Sequence, residues 1–207
     1  MENKNIPDIV VGRLPLYLQT LNQMAREGFH IASSTGIAER LGTTAAQIRK
    51  DLSYFGGFGK QGTGYQLFLL IDELQKILNV DRIWQAAIVG AGDLGHALIH
   101  YQGFARHGFE IVLAFDNDPA KVGTVIGPIV IKNIDVMEEE IKSHGIKVGL
   151  ITVPARNAQE IAERIVACGI KAILNYAPTT LILPEGIQVQ NVDPILYLQK
   201  MTYYLSD

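Results

Sequence analysis

QIRKDLSYFGGFGKQGTGY, residues 47–65, joins two structural codes in one short stretch. The first half reads as an amphipathic helix with Gln47, Arg49, Lys50 and Ser53 on its polar side and Tyr54 at its end. The second half sets Gly56, Gly57, Gly59, Gly62 and Gly64 among aromatics around Lys60. Arg, Lys and Gln are the side chains that reach base edges and phosphates in a major groove. Glycines let a β-ribbon turn tightly and approach a nucleic-acid backbone. The stretch is therefore expected to be the recognition helix and wing of a winged-helix DNA reader. Taken alone, it also fits a solvated helix followed by an ordinary loop.

The residues before it supply the rest of such a module. Ile9, Val10, Leu14, Leu18, Leu21 and Met24 fall near helical spacing, and Pro15 inside that pattern predicts a kink or a late helix start. Gly28 ends this helix. Ser33 or Ser34 is placed to cap a helix over 35–41, with Gly42 closing it, and Thr43 or Thr44 is placed to cap the helix that carries Arg49. A helix, a glycine-bearing turn and a second helix make a helix-turn-helix pair.

A second code follows. The apolar run at 83–89 leads directly into GAGDLG, with Gly90, Gly92 and Gly95 at dinucleotide-binding spacing. A second run, 111–115, ends in Asp116, 21 residues after Gly95. Gly90 permits the tight turn, Gly92 lets backbone N–H groups approach a pyrophosphate, and Gly95 lets helix pack on strand. Asp116 is positioned to accept hydrogen bonds from a ribose diol and to repel a 2′-phosphate, which favours NAD(H) over NADP(H). The candidate cofactor site thus comprises Gly90, Ala91, Gly92, Asp93, Leu94 and Gly95, with Asp116 and Asn117 at the second strand end. An empty or repurposed dinucleotide fold is the alternative.

Composition fits two small domains of α/β character. The 207 residues are 48% hydrophobic, yet no apolar run approaches the ~18 residues of a membrane span, and MENKNIPDI lacks signal-peptide character. A cytoplasmic location is therefore expected, and the lone Cys168 agrees with it. The net charge of −3 argues against indiscriminate nucleic-acid binding. Residues 1–82 carry nine basic and eight acidic side chains, whereas 83–207 carry nine and thirteen. DNA affinity would thus depend on a few placed cations and on dimerisation.

Helices are expected over 66–82, 137–143, 158–166 and 194–205, and strands over 148–153, 172–174 and 187–192. Two loops, TVPA at 152–155 and NYAPT at 175–179, fall at strand ends on the ligand side of an open α/β sheet. Thr152, Val153, Asn175 and Ala177 there suit a nicotinamide ring or its carboxamide, unless Pro154 and Pro178 simply end their strands. The last helix, with Ile195, Leu196, Leu198, Met201, Tyr204 and Leu205 around much of its circumference, must bury against something.

With RKDLSYFG, FGKQGTGY, IVGAGDLG, HYQGF at 100–104 and NVDPILYLQ near the end, the chain resembles the Rex family of redox-sensing repressors over essentially its full length. The resemblance implies a winged-helix domain at 1–80, a Rossmann-like domain binding NADH and NAD+ at 81–192, and a C-terminal helix at 193–207 swapped into the partner of a homodimer. It implies release of double-stranded operator DNA when NADH accumulates. Arg49 and Lys50 would enter the operator's major groove, helped by Arg13 and Ser34, with Lys60 on the wing. Tyr101 and Asp193 would sit near the nicotinamide and move in the switch. Asp93 stands where some relatives carry a basic partner for the acid matching Asp193, and Gln61 stands where an arginine is expected.

Two other readings remain from the residues alone. A small NAD-dependent oxidoreductase needs an acid/base aimed at substrate, and none of His30, His96, His100, His107 or His144 has obvious catalytic company. No HExxH motif or Cys/His cluster suggests a metal. A coenzyme A binding domain is disfavoured by Asp116, because that cofactor carries a 3′-phosphate on the ribose nearby.

Overall fold

In the computed structural model the chain divides into two compact units, Met1–Arg82 and Ile83–Asp207. The structure describes residues 6–60 and 63–205; the Lys60 side chain, and Gln61 and Gly62 entirely, lie outside the described residues.

The first unit begins with α1 (Asp8–Val11) and α2 (Leu14–Arg26), separated at Gly12 and Arg13. Pro15 sits in the first turn of α2, where its missing N–H costs nothing, so the apolar pattern starts late. The strand β1 (Ile31–Ala32) follows, then α3 (Ser34–Leu41) and α4 (Ala45–Ser53). Ser33 Oγ accepts from Gly36 N, and Thr44 Oγ1 accepts from Gln47 N. Each cap thus fixes one helix start. A hairpin of β2 (Gly59–Lys60) and β3 (Gly64–Gln66) leads into α5 (Leu67–Ile77). β3 is the middle strand, pairing antiparallel with β2 and β1. Leu14, Tyr17, Leu21 and Met24 of α2 bury against Ile37, Ile48, Leu52, Leu67, Leu70 and Leu74. Their spacing of three and four turns one face of each helix inward.

The second unit opens with β4 (Trp84–Val89), α6 (Asp93–His100), α7 (Gly103–Arg106) and β5 (Phe109–Asp116). A hairpin β6 (Val125–Ile126) and β7 (Ile129–Asn133) comes next, then α8 (Met137–His144), β8 (Val148–Ile151) and α9 (Ala155–Ala167). The chain ends with β9 (Ala172–Asn175), β10 (Gln188–Asn191) and α10 (Pro194–Thr202). The sheet order is β10-β9-β8-β4-β5-β7-β6, parallel throughout except for the β6–β7 pair. This is the doubly wound order, and it reverses between β4 and β8. Alternation along β4 serves both faces: Ala87 and Val89 join the core under α8 and α9, while Ala86 and Ile88 join Leu98, Ile99 and Phe104 of α6 and α7.

Several element bounds differ from the sequence expectation. β8 stops at Ile151 and α9 starts at Ala155, with Pro154 as its N-cap. The connecting helix ends at Ile77 and α10 ends at Thr202. The two-residue strand β1, the single-turn helix α7 and the β6–β7 hairpin are too short to give a hydrophobic period.

Candidate nucleic-acid interface and dinucleotide site

Helix α4 is anchored by Ile48, Asp51 and Leu52, which leaves Arg49, Lys50 and Ser53 exposed and Tyr54 partly so. Arg49 Nη1 donates to Ser34 Oγ at 2.9 Å, which brings together two residues expected to face DNA. Ser53 Oγ donates to the Lys50 carbonyl at 2.7 Å, an ordinary end-of-helix bond that leaves the Lys50 side chain in solvent.

Arg13 and Gln47 are placed differently. The Arg13 guanidinium grips Asp51 with two bonds of 2.6 and 2.8 Å, and Gln47 Nε2 donates to the same carboxylate at 2.7 Å. Tyr17 Oη adds a fourth bond at 2.5 Å. Asp51 is fully buried, on the inner side of α4. Burial alone would raise its pKa, but the bonds from Arg13, Tyr17 and Gln47 outweigh that and hold it below the usual carboxylate range. Burial and the Asp51 charge push the Tyr17 hydroxyl up to about 12. Asp51 is not among the residues expected from the sequence. A charged residue on the apolar side of an amphipathic pattern was the available signal.

The glycine turn lies at the sheet's switch point. Gly90 has φ +101°, and a Cβ there would lie 2.8 Å from the backbone carbonyl of Thr152. A Cβ on Gly95 would collide with the Gly90 carbonyl oxygen, whereas one on Gly92 would meet nothing. The first and third glycines are thus required by packing, and the second leaves a clear approach to the start of α6. Thr152 Oγ1 donates to the carbonyls of Gly90 and Val89, tying the turn to the end of β8.

Asp116 ends β5 and is 6% exposed. Its carboxylate accepts from Ala91 N at 2.7 Å, Asp118 N at 2.9 Å and Lys121 Nζ at 3.2 Å. Burial would raise its pKa, but the two backbone N–H groups and the Lys121 charge win and hold it low. The carboxylate therefore stays ionised, as ribose recognition requires.

A cavity of about 710 Å³ opens beside this turn. Of the expected residues, Gly90, Gly92, Asp116, Asn117, Thr152 and Val153 line it, while Ala91 is tied to it through Asp116. Asp93, Leu94, Gly95, Tyr101, Asn175, Ala177 and Asp193 lie outside its wall. Lys121, Arg156, Asn157 and Arg164 also line it and were missed. Arg156 and Asn157 open α9, one residue beyond the loop singled out in the sequence. A helix start after a ligand-side loop was the signal that could have found them.

The remaining expected residues make contacts within the protein. Asn175 is fully buried; its Nδ2 donates to Ala177 O, Thr179 O and Asn191 Oδ1, and its Oδ1 accepts from Ala177 N. It pins the 175–179 loop. Tyr101 follows α6, 60% exposed, edge-on to Phe104 with ring centres 5.4 Å apart. Asp193 caps α10 through Ile195 N. Among the described residues no group of three or more His, Cys, Asp or Glu side chains could hold a metal.

A winged helix joined to a doubly wound dinucleotide fold defines a nucleotide-responsive DNA-binding protein as the class. Residues 5–53 match the family described as "Putative DNA-binding protein N-terminus", and residues 81–179 match "CoA binding domain". The chain is 46% identical over 97% of its length to the redox-sensing transcriptional repressor Rex of Roseiflexus sp., covering 91% of that relative. It is 47% identical over its whole length to the Rex of Chloroflexus aurantiacus, covering 98% of it. Among solved structures, RSP in complex with β-NAD+ and operator DNA matches at 36% identity and TM-score 0.91, over 96% of this chain and 91% of that one. RSP in complex with β-NADH matches at 33% identity and TM-score 0.88, over 97% and 94%. The chain belongs to the Rex family of redox-sensing transcriptional repressors.

Proposed function

We propose that this chain is a repressor that reads the NADH/NAD+ balance: it holds an inverted-repeat operator through its winged-helix unit and releases it when NADH occupies the Rossmann unit. The observation that carries this reading is the full-length match to a Rex-family chain solved with both β-NAD+ and operator DNA. Two features of the chain support it independently. Arg49 and Lys50 stand exposed on a capped helix, and the glycine turn with an ionised Asp116 opens on a cavity of about 710 Å³. Its relatives are named as repressors, so the chain is read as a regulator rather than an enzyme. Among the described residues no helix is long and apolar enough to cross a membrane, and a protein that acts on DNA is read as cytoplasmic.

In this reading residues 1–80 contact DNA and 81–192 bind the dinucleotide. Residues 193–207 carry a helix that crosses to a second copy. α10 has no buried residue, and Ile195, Leu196, Leu198 and Met201 are each more than half exposed. An apolar helix left uncovered by its own chain calls for a partner. Arg49, Lys50, Ser34, Ser53, Tyr54 and Lys60 form the DNA face; the turn at 90–95, with Asp116, Asn117, Thr152 and Val153, holds the cofactor. Asn175 and Ala177 shape the loop at the nicotinamide end, where Tyr101 and Asp193 sense the ring. Oxidised and reduced rings differ by one positive charge, so a carboxylate nearby distinguishes them by Coulomb attraction.

Because cofactor and operator occupy different units, their antagonism is a coupling free energy, of about 1–3 kcal/mol in typical cases, and it is reciprocal. NADH affinity measured with and without saturating operator should fall by the same factor by which NADH weakens operator binding. Equal NADH affinities in the two conditions would refute the switch.

A further inference from the structure

We infer that Asp51 is the positioning residue of the recognition helix, and that Arg13, Tyr17 and Gln47 serve DNA recognition by holding Asp51 rather than by touching DNA. The inference rests on the DNA-binding reading above. Asp51 is two residues after Arg49 and one after Lys50, yet it points inward and is fully buried. Four hydrogen bonds of 2.5 to 2.8 Å converge on its carboxylate. Arg13 lies between α1 and α2 and Tyr17 lies on α2, so three of the four bonds reach α4 from outside it.

The geometry sets the rotation of α4 about its own axis. Apolar contacts by Ile48 and Leu52 hold the helix down but slide easily, because dispersion contacts are non-directional. A bidentate guanidinium–carboxylate pair is planar and directional, and the Tyr17 bond fixes a second direction. Gln47, one turn before Asp51 on the same helix, spends its amide on the same carboxylate, and Arg49, on the exposed side, is steadied by Ser34 at 2.9 Å. The polar face of α4 thus divides into an inner set, Gln47 and Asp51, that orients the helix, and an outer set, Arg49 and Lys50, that reads DNA. Base readout needs side chains placed within about half an ångström, so loss of the inner set should blur sequence discrimination more than overall attraction to DNA.

The experiment uses the full-length protein and two duplexes, an inverted repeat selected from a random library by the wild type and a scrambled version of it. Arg13→Gln, Tyr17→Phe, Asp51→Asn and the Arg13→Gln/Asp51→Asn double variant are titrated with both duplexes over a salt series. Circular dichroism and NADH binding check that each variant is folded. Tyr17→Phe removes a single hydrogen bond and keeps the ring, so it reports even where Asp51→Asn folds poorly. The expected result is a fall of roughly tenfold in the ratio of selected to scrambled affinity in each single variant. The double variant should be no worse than the worse single one, since both break the same pair. The salt slope of Arg13→Gln should equal that of the wild type. A loss of folded protein would lower both affinities together and leave their ratio unmoved. A salt slope reduced by about 1 in Arg13→Gln, with equal losses on both duplexes, would make Arg13 a phosphate contact and overturn the inference. Unchanged ratios in Tyr17→Phe and Arg13→Gln, with circular dichroism showing both variants folded, would overturn it equally. A wild type that selects no duplex at all would instead overturn the DNA-binding reading on which the inference stands.

Discussion

The Asp116 carboxylate accepts a hydrogen bond from the Ala91 backbone N–H at 2.7 Å, so the acid expected to hold a ribose also latches the glycine turn 25 residues before it. Lys121 lies 3.2 Å away on the same carboxylate oxygen. The end of β5 and the glycine turn are therefore one mechanical unit, and removing the acid affects both.

Asp116→Ala should weaken NADH binding and also shrink the preference for NADH over NADPH. Without the carboxylate, Lys121 is free to meet a 2′-phosphate that Asp116 had repelled. A loss of discrimination of roughly tenfold, ~1.4 kcal/mol, is expected. Calorimetric titration with the two reduced cofactors measures it, and an unchanged ratio would show that Asp116 does not face the ribose.

The second and third glycines of the turn should separate binding from folding. Gly95→Ala drives a methyl into the Gly90 carbonyl and should cost on the order of 1–3 kcal/mol of stability, with NADH binding lost. Gly92 has extended backbone and open space, so Gly92→Ala should keep its stability within about 0.5 kcal/mol. Its methyl still occupies the approach to the α6 N-terminus, and NADH affinity should drop. Thermal melts and NADH titrations of both variants test the contrast, and tight NADH binding by Gly92→Ala would remove the phosphate from this turn.

On the DNA side, Arg49→Ala should cost about 1–3 kcal/mol of operator affinity, and Lys50→Ala a comparable amount. Ser34→Ala removes only the anchor at 2.9 Å from Arg49 and should cost less, about 0.5–1.5 kcal/mol. NADH binding should be unaffected in all three. Wild-type operator affinity of Arg49→Ala and Lys50→Ala in a gel shift would contradict the recognition-helix assignment.

Removal of residues 194–207 should convert a dimer to monomer or aggregate. The face of β8, β9 and β10 beside Phe104 carries an apolar cavity of about 360 Å³, and no helix follows β9 before β10 to cover it. A parallel sheet ordinarily has both faces covered, so loss of the free helix α10 should leave this surface in water. Light scattering on the truncated chain decides the matter; a stable soluble dimer would argue against the exchanged helix.

Much of this molecule was written locally. The caps Ser33 and Thr44, the glycine spacing at 90–95 and the acid at 116 are short-range patterns, because a helix start or a phosphate turn is fixed by its own few residues. Arg49 and Lys50 were legible for the same reason: helical period alone puts Lys50 opposite Ile48 and Leu52 and Arg49 to one side of them. What the sequence could not state is which polar side chains spend their hydrogen bonds inside the protein. Arg13 and Asp51 are 38 positions apart, and only the packing of α2 against α4 brings the guanidinium to the carboxylate. Asn175 reads only as part of a ligand-side loop in the sequence, and its amide bond to Asn191 exists because the chain returns beside it in β10. Arg156, Asn157 and Arg164 reach the cavity beside the glycine turn because β8 lies beside β4, a neighbour relation fixed by the sheet order. Local chemistry determines the elements and their termini; the pairing of buried charges and the lining of the cavity depend on long-range packing, which one-dimensional spacing does not encode.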